Sequence, residues 1–133
     1  MTHEKRIEIR WRDLDAYRHV NNAVYATYLE ECRDEWALRA LDDTGDPWDY
    51  VLARVAIDFR QELTQEDDVV IVRCTLERIG TSSLTLHEEI RKLDGTLSAE
   101  AESVLVARDR ETGRSRPLSD AEREALTATL ATA

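Results

Sequence analysis

Residues 13–33 read DLDAYRHVNNAVYATYLEECR, and this stretch decides the fold that we expect of the whole chain. It opens with carboxylates, a histidine and two asparagines, and it contains no glycine or proline. Apolar residues then recur at three- and four-residue steps, which is the period of an α-helix. These residues are Val20, Tyr25, Tyr28, Leu29, Cys32, Trp36 and Ala40. The pattern predicts a helix from about Asn21 or Asn22 to about Leu41, with one face buried.

The polar cluster lies where the first turn of this helix should begin. Asparagine is a favoured N-cap residue, so Asn21 or Asn22 suits the start of the helix. The first-turn amides of a helix have no intrahelical acceptor, and the helix dipole makes that end positive. Such a position favours an anion, or an oxygen that becomes one during a reaction. We therefore take the start of this helix as the candidate functional site.

Composition and charge limit the partners that the protein can have. With 133 residues, a single domain over residues 1–133 is the default expectation. The formal net charge is −10, which argues against nucleic acid or an anionic membrane as the main partner, because both require a basic surface. A small polyanionic ligand remains compatible with a local arginine cluster, since arginine is abundant and lysine occurs only at Lys5 and Lys92.

The cysteines and the N-terminus bear on compartment and cofactors. Cys32 and Cys74 are not part of a C-x-x-C pair, so we interpret both as buried thiols in a reducing compartment, with a disulfide as the alternative. No cysteine–histidine cluster has zinc spacing. The N-terminus has no apolar signal core and no run of residues approaches a membrane span, so we expect a cytoplasmic protein.

The remaining chain alternates between apolar and polar residues in the two-residue period of β-strands. The predicted strands are residues 6–12, 51–59, 69–79, 83–93 and 96–107. In the first strand Trp11 should face inward with Ile7 and Ile9. In the second strand the residues expected to face inward are Val51, Ala53, Val55, Ile57 and Phe59.

The ends of these elements have signals of their own. Residues 42–48, DDTGDPW, are a predicted turn, and Asp94-Gly95 is a hairpin signal. Ser119 and Glu122 match a capping box, so we predict a short C-terminal helix within residues 119–131. The element order favours an α+β fold in which one five-stranded antiparallel sheet wraps around one long helix. An exposed sheet edge would invite pairing with a second copy of the chain.

The aspartates before the helix are the candidate chemical groups. Asp13 and Asp15 are two residues apart at a predicted strand end, where alternation sends their side chains to opposite faces. A carboxylate beside a helix N-terminus and an apolar cavity can act as a general base or a nucleophile, while the helix amides stabilise an oxyanion. This chemistry is acyl transfer to water. Spacing alone favours the simpler alternative, in which both aspartates only cap a loop.

Other residues of the cluster also have structural interpretations. His19 would hold the loop through a hydrogen bond, Asn21 and Asn22 would cap the helix, and Tyr25 would belong to the core. Serine-nucleophile hydrolysis has no support, because the chain has no G-x-S-x-G elbow. A glycine-rich phosphate loop is also absent from the sequence.

The quoted stretch resembles the signature of hotdog-fold thioesterases of the 4-hydroxybenzoyl-CoA thioesterase type. It is most similar to bacterial long-chain acyl-CoA thioesterases, which share an aspartate followed by x-Tyr-x-His-Val-Asn-Asn. The resemblance is strong over residues 7–39. It implies five strands around a central helix, a homodimer or homotetramer with sites at subunit interfaces, an acyl-CoA substrate and no cofactor.

The resemblance also assigns roles to residues. It implies that Asp15 is the base or nucleophile, that amides around Asn21 and Asn22 contact the oxyanion, and that His19 lies beside the carboxylate. Substrate contacts are expected from Tyr17, Asn21, Tyr25, Ser82 and Ser83. Related enzymes have glycine in the region where this chain has Tyr17 and Arg18, which favours an aliphatic acyl chain over a small aromatic one. Candidate contacts for the CoA phosphates are Arg18, Arg54, Arg60 and Arg78.

Two classes of function follow from these observations. The first is an acyl-CoA thioesterase that releases free acid and CoA. The alternative is a non-catalytic module that binds acyl-CoA or an acyl carrier on the same fold. A hotdog dehydratase ranks below both, because the Asn-Asn run does not supply the acid–base pair that dehydration requires.

Overall fold

The fold is that of a computed structural model, which describes residues 1–42, 44 and 49–131. The strands are β1 (Thr2–Glu8), β2 (Tyr50–Phe59), β3 (Val69–Ile79), β4 (Ser83–Lys92) and β5 (Leu97–Ala107). The helices are α1 (Asn22–Ala40) and α2 (Asp120–Ala131), and short 3₁₀ turns cover Trp11–Asp13 and Gln65–Asp67. Most of the turn predicted at residues 42–48 lies outside the described residues.

The strands form one antiparallel sheet in the order β1-β3-β4-β5-β2. This confirms the α+β class and the five-stranded antiparallel sheet. β1 and β2 are its two edges. We call one end of the sheet the Phe59 end. There β1 leads into the loop that contains Asp15, and β2 leads into its connection with β3. The other end, the Tyr50 end, holds the β3–β4 turn and the end of β5.

α1 buries the face that its sequence periodicity predicts. Its buried residues are Tyr25, Tyr28, Leu29, Cys32, Arg33, Trp36, Ala37 and Ala40. The helix packs mainly against β1 and β3, with fewer contacts to β4. Cys32 and Cys74 are buried thiols without a disulfide, as expected. Their burial raises the pKa of both thiols, that of Cys32 to about 12.

The first strand ends earlier than predicted, and Trp11 does not face inward. Ile7 and Ile9 are buried, whereas Trp11 is 83% exposed. The chain turns into a 3₁₀ turn after Ile9 because the Asp13 carboxylate accepts a 3.0 Å hydrogen bond from the Arg10 amide. A hydrogen bond from the backbone to a nearby aspartate side chain competes with strand formation. The alternation of apolar and polar residues does not reveal such a bond.

The inward face predicted for β2 is wrong at its N-terminal half. An irregularity between Leu52 and Arg54 shifts the register against β5, so Val51 pairs with Val106 on the opposite face from the buried Leu105. Inserting one residue into a strand reverses the alternation beyond it. Val55 and Phe59 lie on the predicted inward face, but in the isolated subunit they are still 37% and 49% exposed.

The predicted C-terminal helix is present and its capping box is formed. The Ser119 amide donates to Glu122 Oε1 at 2.8 Å, and the Glu122 amide donates to Ser119 Oγ at 3.1 Å. The fully buried Leu126 anchors α2 in the hydrophobic core, and the helix packs against β3. No helix within the described residues is long and apolar enough to cross a membrane.

Candidate active site

The start of α1 is built around Asn21, which is the N-cap residue. Its Oδ1 accepts a 2.9 Å hydrogen bond from the Ala23 amide, and its carbonyl accepts one from the Val24 amide at 2.9 Å. Its own amide donates to the Asp13 carbonyl at 2.9 Å. Helix geometry gives the Asn22 amide no intrahelical acceptor, so it is the first-turn donor left for another group.

Asp13 holds the loop before the helix from inside the protein. Its side chain is buried and accepts a 2.6 Å hydrogen bond from the Tyr28 hydroxyl and a 3.0 Å bond from the Arg10 amide. Burial by itself would raise the pKa of this carboxyl, but the Tyr28 and Arg10 donors hold the pKa below its ordinary value. Asp13 is therefore a buried anchor, as the loop-capping interpretation predicts.

Asp15 has a different environment, since its side chain is only half-buried. Oδ1 accepts a 2.9 Å hydrogen bond from the Tyr17 amide, and Oδ2 accepts a 3.3 Å bond from the Asn21 side-chain amide. The backbone holds the same loop closed, because the Asp15 amide donates to the His19 carbonyl at 3.0 Å. Asp15 is thus fixed beside the N-cap with its carboxylate partly open to solvent.

Arg18 gives this loop its sharp turn. Its φ is +64°, in the left-handed region that a residue with a Cβ adopts only at a cost. Its amide donates to the Asp15 carbonyl at 3.0 Å, which closes the turn. Glycine takes this conformation freely, whereas a residue with a Cβ such as Arg18 is strained by it.

His19 is not oriented toward the Asp15 carboxylate. Its Nε2 lies 3.1 Å from Glu62 Oε2, on the connection between β2 and β3. Its backbone carbonyl, rather than its ring, contacts Asp15. The structure therefore brings His19 to the site mainly as a residue of the loop, in agreement with its structural interpretation.

A groove of about 190 Å³ begins beside the helix start. The residues lining it are His19, Val20, Asn22, Tyr25, Phe59, Arg60, Gln61 and Glu62. Tyr25 and Phe59 meet edge to face with ring centroids 5.0 Å apart, and burial raises the pKa of Tyr25. Tyr17 is 81% exposed and lines a separate hollow of about 670 Å³ with Trp11 and Arg18.

Ser82 and Ser83 lie at the other end of the sheet from Asp15. The Ser82 carbonyl accepts from the Ala107 amide at 2.8 Å, and Ser83 begins β4. β3 is an 11-residue strand that separates this turn from Asp68, which bonds the Ile9 amide near the site. At roughly 3.3 Å per residue, one subunit cannot bring these serines to its own Asp15.

The arrangement supports one kind of chemistry at the helix start. The N-terminus of α1 holds a half-buried carboxylate and a first-turn amide without an intrahelical acceptor. The groove beside it is lined by Val20, Tyr25 and Phe59 together with polar and charged residues. A carbonyl bound there would meet a base or nucleophile on one side and an oxyanion donor on the other. Within the described residues, no group of three or more histidine, cysteine, aspartate or glutamate side chains is placed to hold a metal ion.

Phe59 and Glu62 line the groove at the helix start, although the sequence did not predict them there. Both lie far along the chain from the helix start, and their approach to it depends on β2 being the far edge of the sheet. Phe59 carried a partial signal, since a large apolar residue ending a strand must pack against something. Glu62 carried none, because a single glutamate in a polar connection is ordinary.

Comparisons with known proteins place the chain in a class of thioester hydrolases. The chain belongs to the thioesterase-like superfamily, whose family model matches residues 9–126. The match includes α1, the Asp15 loop, all of β2–β5 and the first part of α2. No curated protein matches the chain.

Solved structures show the same fold over nearly the whole chain. A thioesterase from Thermus thermophilus, solved with coenzyme A and Zn, is 32% identical, with a TM-score of 0.85 over 96% of this chain and 92% of the other. A predicted thioesterase from Bacillus stearothermophilus is 29% identical, with a TM-score of 0.87 over 97% and 96%. The probable thioesterase YbaW from Escherichia coli is 26% identical, with a TM-score of 0.79 over 96% and 98%.

Proposed function

We propose that this protein is an acyl-CoA thioesterase that hydrolyses an aliphatic acyl thioester to free acid and CoA. The observation that carries the proposal is the placement of the Asp15 carboxylate beside the N-cap of α1, with the Asn22 amide available in the same turn. Membership in the thioesterase-like superfamily supports the reaction, and the CoA complex of the Thermus thermophilus relative supports a CoA substrate.

In the proposed mechanism, the thioester carbonyl lies against the first turn of α1. Asp15 either removes a proton from the attacking water or attacks the carbonyl carbon itself, forming an anhydride that water then opens. The carbonyl oxygen becomes negative as the tetrahedral intermediate forms, and the Asn22 amide donates to it. Collapse of the intermediate breaks the C–S bond and releases CoA as a thiolate that takes up a proton.

The Asn21 side chain has a positioning role in this mechanism. It caps α1 through Oδ1 and donates to Asp15 through Nδ2, so one residue sets the distance between carboxylate and amide. Tyr25 and Phe59 form the apolar wall of the groove, where an acyl chain would lie. We also propose that the five-stranded sheet wraps around α1, which is the hotdog arrangement.

The two edges of the sheet support a dimer through β2. The β1 edge is rich in charged residues, which oppose strand pairing with a second chain. The β2 edge exposes apolar side chains, namely Val51, Leu52, Val55 and Phe59. We propose that two β2 strands pair antiparallel around a two-fold axis, which would cover the open side of the groove.

A thiol-release assay over a panel of acyl-CoA chain lengths tests the proposal. Thiol release that depends on chain length supports a thioesterase. The alternative, a non-catalytic binding module, predicts that the protein retains acyl-CoA in native mass spectrometry while releasing no thiol from any member of the panel. That second outcome would replace the enzyme proposal.

A further inference from the structure

The groove beside the start of α1 is short, and two buried residues form its inner wall. Its volume is about 190 Å³. Val20 and Tyr25 are each 3% exposed, so they lie at its inner side. The other lining residues are exposed or only partly buried, and they surround its open side: His19, Asn22, Phe59, Arg60, Gln61 and Glu62. A ligand that enters from the open side therefore meets Val20 and Tyr25 at the end of the groove.

An aromatic pair closes the groove toward the sheet. The ring centroids of Tyr25 and Phe59 are 5.0 Å apart, and their planes meet at 81°. Phe59 is the last residue of β2 and pairs with Ala99 on β5, whose small side chain leaves room for the ring. Edge-to-face contact is a favoured arrangement of two aromatic rings, so the pair forms a continuous apolar wall.

Hydrogen bonds on both sides hold this aromatic pair in place. The Arg60 amide donates to the Ser98 carbonyl at 2.8 Å, so the chain directly after Phe59 is fixed to β5. Burial raises the pKa of Tyr25, while hydrogen bonds with Ser98 and with the Leu63 backbone oppose that rise. The Tyr25 hydroxyl is thus bound to the same part of the sheet as the backbone beside Phe59, and the two rings are a fixed part of the fold.

The position of Tyr25 sets the depth of the groove. In the proposed mechanism the substrate carbonyl lies against the Asn22 amide, three residues before Tyr25, which is about 4.5 Å along the helix axis. Helical side chains lean toward the N-terminus, and this brings the Tyr25 ring nearer to the carbonyl. An extended alkyl chain advances about 1.3 Å per carbon, so roughly four carbons fit between the carbonyl and the ring.

The next row of side chains behind the aromatic pair contains charges. Two residues along β2 from Phe59, the strand pairing places Ile57, Ala101 and Glu88 side by side on β2, β5 and β4. The Glu88 carboxylate is buried and accepts hydrogen bonds from Arg33 on α1 at 2.9 and 3.0 Å. A buried ion pair needs its hydrogen bonds and offers an alkyl chain less apolar contact than a core of leucine or valine would. The fold therefore provides little room for a long chain along this path.

We propose that the Tyr25–Phe59 pair ends the acyl pocket, so that this protein takes short acyl chains of about four to six carbons. This inference rests on the proposed function and names the substrate class of that site. It departs from the long chain that the resemblance of the sequence signature implies. Phe59 is the residue of the pair that can be changed with least damage to the core, since it is 49% exposed whereas Tyr25 is buried.

A series of S-(2-oxoalkyl)-CoA analogues tests this end of the pocket without depending on hydrolysis. Each analogue keeps a carbonyl but has no thioester bond to break. Calorimetry should show affinity rising about fourfold with each added methylene group while the chain fits. The rise should stop at about six carbons, where the chain reaches the aromatic pair. An affinity that keeps rising up to twelve carbons would overturn the proposal.

Substitutions of Phe59 should move the length limit in both directions. Phe59→Ala should extend it by up to roughly five carbons, because the next row along the strand lies about 7 Å further. Phe59→Leu should extend it less and serves if the alanine variant does not fold, and Phe59→Trp should shorten it. The matched control is Val55→Ala, on the same face of β2 but outside the groove, which should keep the wild-type limit. An unchanged limit in folded Phe59 variants would overturn the proposal.

The two proposals fail in different ways. If the wild type releases no thiol but binds the analogues with a length limit that the Phe59 variants move, the hydrolase proposal fails and the end of the pocket stands. If the wild type hydrolyses short and long acyl-CoA equally well, the hydrolase proposal stands and the role of the Tyr25–Phe59 pair is wrong.

Discussion

The Tyr28 hydroxyl donates a 2.6 Å hydrogen bond to the Asp13 carboxylate, and both groups are buried. This bond joins the second turn of α1 to the loop that carries Asp15. The Asp13 carbonyl also accepts from the Asn21 amide, so Asp13 contacts the helix twice. The position of the proposed active carboxylate therefore depends on a neighbouring aspartate that takes no part in the chemistry.

Tyr28→Phe tests this anchoring role. The substitution removes one donor to a buried carboxylate, so we expect a loss of about 1–3 kcal/mol in the free energy of unfolding. The pKa of Asp13 should rise, because one of the donors that lower it is gone while the Arg10 contacts remain. Chemical denaturation at pH 7 measures the first effect. A variant as stable as the wild type would show that the bond does not anchor the loop.

The buried ion pair between α1 and β4 leads to a second prediction. Arg33 donates to both carboxylate oxygens of Glu88, at 2.9 and 3.0 Å, with side chains 5% and 0% exposed. Arg33→Met alone should cost about 3–5 kcal/mol, because it leaves Glu88 charged and buried. The double variant Arg33→Met, Glu88→Met should regain most of that loss.

A double-mutant cycle by urea denaturation measures this coupling. The two single variants and the double variant are compared with the wild type under one set of conditions. If the double variant loses the sum of the two single losses, Arg33 and Glu88 act independently, and the pair does not hold α1 on the sheet.

Glu122 links the stability of the C-terminal helix to pH. Burial by itself would raise the pKa of Glu122, but Arg116, the Ser119 backbone amide and the Tyr50 hydroxyl together lower it to about 2. Because the folded pKa lies below the unfolded value, this stability is present above about pH 4.5 and is lost as pH falls toward 2.

Glu122→Gln should therefore be less stable than the wild type at pH 7, by up to about 3 kcal/mol. The difference should shrink as pH falls from about 5 to about 3 and vanish near 2. Denaturation curves across that range measure it. A difference that stays constant with pH would mean that the charge of Glu122 is not its source.

The β2 edge predicts how the oligomer can be broken. Val55→Asp places a charge on the exposed apolar strand edge that we propose pairs with a second copy. Light scattering should show a dimer for the wild type and a monomer for the variant, with thiol release lost in parallel. The matched control is Arg6→Asp on β1, which should remain dimeric. A dimeric Val55→Asp variant would place the interface elsewhere.

What the sequence revealed depended on the range of the interactions involved. The N-cap could be narrowed to Asn21 or Asn22, and the buried face of α1 could be predicted, because both follow from neighbours within a few residues. Arg33 is charged, yet it is buried because it pairs with Glu88, which lies 55 residues further along the chain. Periodicity cannot identify such a partner.

The remaining differences have similar physical causes. Trp11 leaves the strand face because the Asp13 carboxylate competes for the Arg10 amide, and Val51 leaves the inward face because of a register shift in β2. Asp15 could be expected near Asn21, because both residues belong to the signature within residues 13–33. The distance of Ser82 and Ser83 from Asp15 follows from strand order, which only the folded chain reveals.

The most direct test of the account is turnover by Asp15→Asn, measured as thiol release from a saturating acyl-CoA. Asparagine preserves the size of the side chain and its contact with the Tyr17 amide, but it is neither a base nor a nucleophile. We predict that turnover falls by roughly 10²–10⁴-fold while acyl-CoA still binds with near wild-type affinity. Hydrolysis at the wild-type rate would remove Asp15 from the mechanism and contradict the account.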